Sequence, residues 1–110
     1  MALTFEDFEK VDMRAGRIIR VEDSLARKPT YRFTLDFGPE IGEKVSCAAL
    51  TNYTKEELLG KLVIAVVNFP PKKMGPETSE VLILGVPDPD GAVIRLQPEG
   101  ENVTPGARVF

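Results

Sequence analysis

Lys10-Val-Asp-Met-Arg-Ala-Gly-Arg-Ile-Ile-Arg-Val-Glu22 starts as a strand and changes phase halfway along. Val11, Met13 and Ala15 alternate with Asp12 and Arg14, a period of two that matches a pleated strand with one buried side. At Gly16 the alternation slips, and Ile18 and Ile19 stand side by side. A glycine at such a slip predicts a bulge or sharp bend, the device by which one long strand serves two sides of a small barrel.

Working outward, Thr4 ahead of Phe5-Glu-Asp-Phe8 predicts a capped helical turn, with Glu6 and Asp7 at the positive end of its dipole. Beyond the long strand, Pro29 makes Arg27–Thr30 a loop. Tyr31–Phe37 is the clearest strand: Tyr31, Phe33, Leu35 and Phe37 face one way, Arg32, Thr34 and Asp36 the other. Gly38–Gly42 reads as a turn and Lys44–Ala49 as a third strand. Thr54 with Glu57 three residues on has capping-box form, and Gly60 ends that short helix. Leu62–Val67 is β-branched and apolar throughout, so it predicts a strand buried on both faces. Asn68–Glu77 is a Pro-rich loop, Ser79–Val86 a strand, Pro87–Gly91 a turn and Ala92–Leu96 a last strand. Strands with one short helix between the third and fourth follow OB-fold order, a five-stranded Greek-key barrel, mainly all-β. Another small β-barrel or a half-sandwich fits the same pattern.

The 110 residues make one domain, 1–110, with 43% apolar and 28% charged residues. No apolar run approaches the roughly 20 residues of a membrane-spanning helix. Acids near the N-terminus and a lone Cys47 predict a cytoplasmic protein in a reducing compartment. The chain has no His, which removes the commonest general base and metal ligand, and one Cys cannot build a thiolate zinc site. Neither an enzyme nor a metal or other cofactor is expected. The net charge of −3 argues against nucleic acid as a whole-chain sum. Acids and bases are segregated along the chain, however, which permits a basic face on an acidic molecule.

Two stretches carry a family resemblance. Lys10–Ile18 resembles the opening strand of the tRNA-binding domain family, and so does Asn68-Phe-Pro-Pro-Lys-Lys-Met74 followed by Ser79-Glu-Val-Leu82. That family includes domains appended to methionyl- and phenylalanyl-tRNA synthetases and free-standing dimers. Synthetase-linked members usually carry Arg-Gly after Lys-Met, whereas Gly75-Pro76 follows Met74 here and Glu80 follows Ser79. In this respect the chain resembles a dimeric subgroup described as export-related chaperones.

The resemblance implies that Asn68, Lys72, Lys73 and Ser79 bind tRNA or similarly structured RNA. Lysines on a Pro-stiffened loop can meet phosphates at a low ordering cost. The alternative is that Asn68 ties the loop down and the lysines only keep it soluble. Arg14, Arg17 and Arg32 each sit opposite the apolar phase of their strand, which predicts one shared RNA-binding face. Their alternative is a solvated face, with Arg32 pairing an acid such as Asp36. Phe69 and Met74 flank the basic loop and would receive an unfolded or export-bound polypeptide if the chaperone resemblance carries the function. Alternatively, Phe69 plugs the barrel end. Phe5, Phe8, Val109 and Phe110 put apolar side chains at the chain ends, which predicts a homodimer patch or packing of the ends on the barrel. Cys47 reads as a small core residue, in phase with Val45 and Ala49.

Overall fold

The structure, a computed structural model, describes residues 1–110. It opens with a helical turn, α1 (Phe5–Glu9), closed by a capping box between Thr4 and Asp7. There follow β1 (Met13–Asp23), β2 (Tyr31–Asp36), the one-turn α2 (Gly38–Ile41), β3 (Glu43–Ala48) and α3 (Lys55–Leu58). The Thr54 hydroxyl and the Glu57 carboxylate cap α3 reciprocally, as the sequence pattern predicts. After β4 (Leu62–Val66) come five short strands: β5 (Lys72–Met74), β6 (Glu77–Ser79), β7 (Leu82–Ile83), β8 (Gly85–Pro87) and β9 (Val93–Arg95). No helix is long and apolar enough to cross a membrane.

The main sheet runs β3-β2-β1-β4-β7, antiparallel throughout, and curls into an OB-type barrel. β1 makes this possible. Its first half, Met13–Arg17, pairs with β4 and its second half, Arg17–Asp23, pairs with β2. One strand thus serves both sides, as expected, but the bulge falls between Ile18 and Arg20 instead of at Gly16. Gly16 answers to a different constraint. A Cβ there would stand 2.7 Å from the ring of Phe37, so only glycine lets that ring fill the core.

Gly16 and Ile18 therefore point inward, which reverses the expected phase of β1. Ala15 is buried beneath the C-terminal tail, which bonds it through Ala107 O and Gly106 N–H. The core itself holds Ile18, Phe33, Leu35, Phe37, Leu50, Leu58, Val63, Ala65 and Val81. Each large side chain there stabilises the fold by about 2 kcal/mol relative to its exposed state.

The barrel closes between β3 and the segment Ser79–Val81, and side chains carry much of the closure. Glu80 N–H donates to Val45 O at 2.7 Å, and Val45 N–H donates back to the Glu80 carboxylate at 2.9 Å. Cys47 N–H donates to Ser79 Oγ, and the buried Ser46 hydroxyl donates to Val81 O at 2.8 Å. Two expectations need correction here. The stretch expected as the loop Asn68–Glu77 holds half of a hairpin, β5 paired with β6. The expected strand Ser79–Val86 is broken into the end of β6, β7 and the start of β8, because its residues leave the sheet to close the barrel.

Candidate functional site

The β5–β6 hairpin is the centre of the candidate site, and its register decides which side chains work together. Lys72 lies opposite Ser79, Lys73 opposite Thr78 and Met74 opposite Glu77. Strand residues alternate faces and cross-strand partners share one. Lys72, Met74, Glu77 and Ser79 hence face the barrel, while Lys73 and Thr78 face solvent. The two lysines read as a unit in the sequence point to opposite sides. Both are exposed, and neither has a carboxylate within ion-pair distance.

Beneath the hairpin lies Arg32. It pairs with acids, as its alternative reading allows, but these are Glu77 and Glu22, each at 3.2 Å, and not Asp36. Glu77 is only 4% exposed and also accepts the Leu25 N–H at 2.9 Å. The Leu25 bond and then the Arg32 guanidinium hold its carboxyl below the usual range, against the opposing pull of burial. Nothing in the sequence pattern singles out Glu77, since its partners are 45 and 52 residues away.

The expected common face of Arg14, Arg17 and Arg32 does not form. Arg14 shares the inward phase of Gly16 at the barrel end, where it is bidentate to Asp12 at 2.6 and 3.2 Å and also donates to Gly106 O. This pairing raises the Arg14 pKa and lowers that of Asp12. Arg17 extends over the far end of β4 and donates to Gly60 O at 2.7 Å. Arg32 stays under the hairpin. Arg14 and Arg17 stand three residues apart in the regular part of β1 and so face opposite sides, while Arg32 lies on β2.

Asn68 and Ser79 have structural engagements. The Asn68 carboxamide accepts Asp12 N–H at 3.0 Å and donates to Lys10 O at 2.7 Å, which ties the end of β4 to the start of β1. The Ser79 hydroxyl bonds Cys47 N–H, Ser46 Oγ and Val81 O. Phe69 is 53% exposed and so does not plug the barrel. With Pro70, Met74, Val81 and Leu82 it walls an apolar cavity of about 420 Å³, with Lys72 at its margin. Cys47 reaches this cavity from the outer face of β3, since Ser46 holds the inward position opposite Phe33. It is buried as expected, but outside the core cluster, and burial pushes its thiol pKa up.

The chain ends meet. The tail runs beside β1 through Val109 N–H to Met13 O, and Arg108 donates to Glu9 O. Phe5, Phe8, Val11, Val109 and Phe110 surround a shallow cleft there, with the Phe5 and Phe8 rings 6.3 Å apart. Phe5 remains 70% exposed, so intramolecular packing does not absorb this patch.

With this geometry in view, the comparisons with known proteins agree on one family. The tRNA binding domain pattern matches residues 13–108. The methionine–tRNA ligase of Archaeoglobus fulgidus is 39% identical over 107 residues, 97% of this chain but only 16% of that protein. The chain therefore spans about a sixth of that relative's length. Two solved structures are similar along their whole length. The CsaA chaperone protein of Picrophilus torridus has a TM-score of 0.92 at 46% identity, covering 99% of this chain and 100% of its own. Chaperone CsaA of Bacillus anthracis strain Ames has a TM-score of 0.91 at 38% identity, covering 100% of both. By sequence match and by barrel alike, the chain belongs to the tRNA-binding domain family.

Proposed function

We propose that the chain is a non-catalytic, homodimeric RNA-binding domain, 1–110, that recognises tRNA or similarly folded RNA by shape and phosphate backbone. One observation carries the reading: a domain of this family holds two exposed, unpaired lysines, Lys72 and Lys73, on a hairpin pinned to the barrel. A pinned hairpin presents charge with little ordering cost, and phosphate contacts supply sequence-independent affinity. Arg14 and Arg32 contribute to the scaffold in this reading. The exposed apolar side chains at the joined chain ends support a two-fold patch, Phe5, Phe8, Val109 and Phe110 against their symmetry copies. A second copy would double the phosphate contacts. The lone Cys47 supports a reducing compartment, taken here as the cytoplasm.

A second reading draws on the apolar cavity between Phe69, Met74 and Leu82. Its walls suit side chains of an unfolded or export-bound polypeptide, and two structural relatives are named as chaperones. Salt separates the two. Affinity for bulk tRNA should fall steeply from 50 to 200 mM salt, and Lys72→Ala/Lys73→Ala should cut the log–log salt slope by roughly 1.5. Absence of tRNA binding at low salt, with salt-insensitive capture of an unfolded polypeptide, would establish the chaperone reading instead.

A further inference from the structure

We propose that the cavity between Arg17, Lys61 and Arg95 is a second phosphate-binding site, which holds the RNA backbone at the end of the barrel away from the hairpin. The RNA part of this rests on the reading above. The phosphate chemistry stands on the cavity's own geometry.

The cavity, about 370 Å³, opens where β1 and β4 begin to part, at Arg17 and Leu62. Two guanidiniums are anchored on backbone carbonyls either side of Lys61. Arg17 donates to Gly60 O at 2.7 Å, and Arg95 donates to Leu62 O at 3.4 Å and to the Gln97 side chain at 2.9 Å. Arg95 also lies over the Tyr53 ring, 5.2 Å from its centroid. These partners are dipoles, not charges. They orient the cations without neutralising them, and each guanidinium keeps further N–H donors for a ligand. Arg17, Lys61 and Arg95 form no ion pair, in contrast to Arg14 and Arg32. Glu101 stands at the rim, but its carboxylate pairs with none of them and Arg17 reaches only its backbone oxygen, at 3.5 Å. Three cations against one carboxylate favour an anion in a protein of net charge −3.

The walls narrow the ligand class. Leu62 is the one large apolar residue in the lining, and Arg95 covers the only neighbouring aromatic face. The lining offers a nucleobase no free aromatic ring, whereas a phosphate meets fixed charged donors. β4 spans four residue steps of roughly 3.3 Å, about 13 Å, before the chain leads on to the hairpin. One phosphate cannot serve both sites, so an RNA strand that touches both must cross the barrel.

Titration of the full chain with inorganic pyrophosphate, followed by amide NMR, tests the cavity first. The expected result is saturable shifts at Gly60, Lys61, Gln97 and Asn102, weakened about tenfold by Lys61→Ala and unaffected by Lys72→Ala/Lys73→Ala. Lys61 is exposed and its side chain bonds nothing, so its replacement leaves the fold intact. Arg17→Gln, which removes the guanidinium charge, provides a second variant with a similar expected weakening. For tRNA, Lys61→Ala should lower the salt slope by about 0.8. Scattered shifts insensitive to Lys61→Ala, or an unchanged slope with tRNA bound, would overturn the proposal. Pyrophosphate bound in the cavity of a protein that binds no tRNA would instead refute the RNA reading and leave a site for free phosphates.

Discussion

Arg32 and Lys73, on opposite faces of the β5–β6 hairpin, are cations in opposite conditions. On the inner face, Arg32 is enclosed by Glu22 and Glu77, and its charge is spent fastening the hairpin and Leu25 to the barrel. On the outer face, Lys73 stands in solvent with no acid beside it. The same contrast separates Arg14, locked to Asp12, from Arg17, oriented by a carbonyl. A basic residue becomes available to an anion when nothing nearby neutralises it. The deciding neighbour is often remote in sequence.

The largest expected effect comes from opening the closed face. Glu77→Ala removes the acceptor for Leu25 N–H and one of the two Arg32 partners. A loss of about 2 kcal/mol is expected, a Tm drop of roughly 10 °C by calorimetry. A Tm unchanged within a degree or two would show that Glu77 fastens nothing.

Acid should loosen this face, and the Arg14–Asp12 pair at the barrel end, more gradually. Asp12 and Glu77 both titrate below their ordinary values in the folded chain. Their stabilisation is complete above the unfolded-state values, about 4, and is lost as pH falls through the depressed folded values. Denaturant midpoints should therefore drop on acidification below about pH 4.5. The gap between wild type and Glu77→Gln should narrow over the same range. Parallel pH profiles for the two would remove Glu77 from the account.

The smallest expected effect sharpens the contrast from the binding side. Arg32→Gln should leave the salt slope of tRNA binding where it is, whereas Lys73→Ala should lower it by about 0.8. Equal losses from the two would place Arg32 among the phosphate contacts and erase the distinction between the faces.

Much of the scaffold was legible in the sequence because its signals are local. The period-two run in Tyr31–Phe37, the unbroken apolar run Leu62–Val67, the capping pair Thr54 and Glu57, and the use of one long strand on two sides all follow from near neighbours. The phase of β1 was misread because Ala15 is buried by the C-terminal tail, while Gly16 faces the core without a side chain to show it. The hairpin was hidden because Pro70, Pro71, Gly75 and Pro76 read as loop residues. Its strands are held by attachment to β3, not by propensity.

The candidate site divides along the same line. The Asn68–Met74 and Ser79–Leu82 stretches pointed to the family from sequence, since a motif keeps its order along the chain. What each member does could not be read in the same way. Asn68 ties β4 to β1, Ser79 and Glu80 close the barrel, and Lys72 and Lys73 part to opposite faces. The grouping of Arg17, Lys61 and Arg95 gathers residues from β1, the entry to β4 and β9. Sequence by itself determined the strands and capped helices, written in short-range patterns of polarity and turn chemistry, and, through two motifs, the family and with it the barrel. Only the tertiary structure decided which cations remain free, because neutralisation is a matter of a few ångströms between groups the chain holds dozens of residues apart.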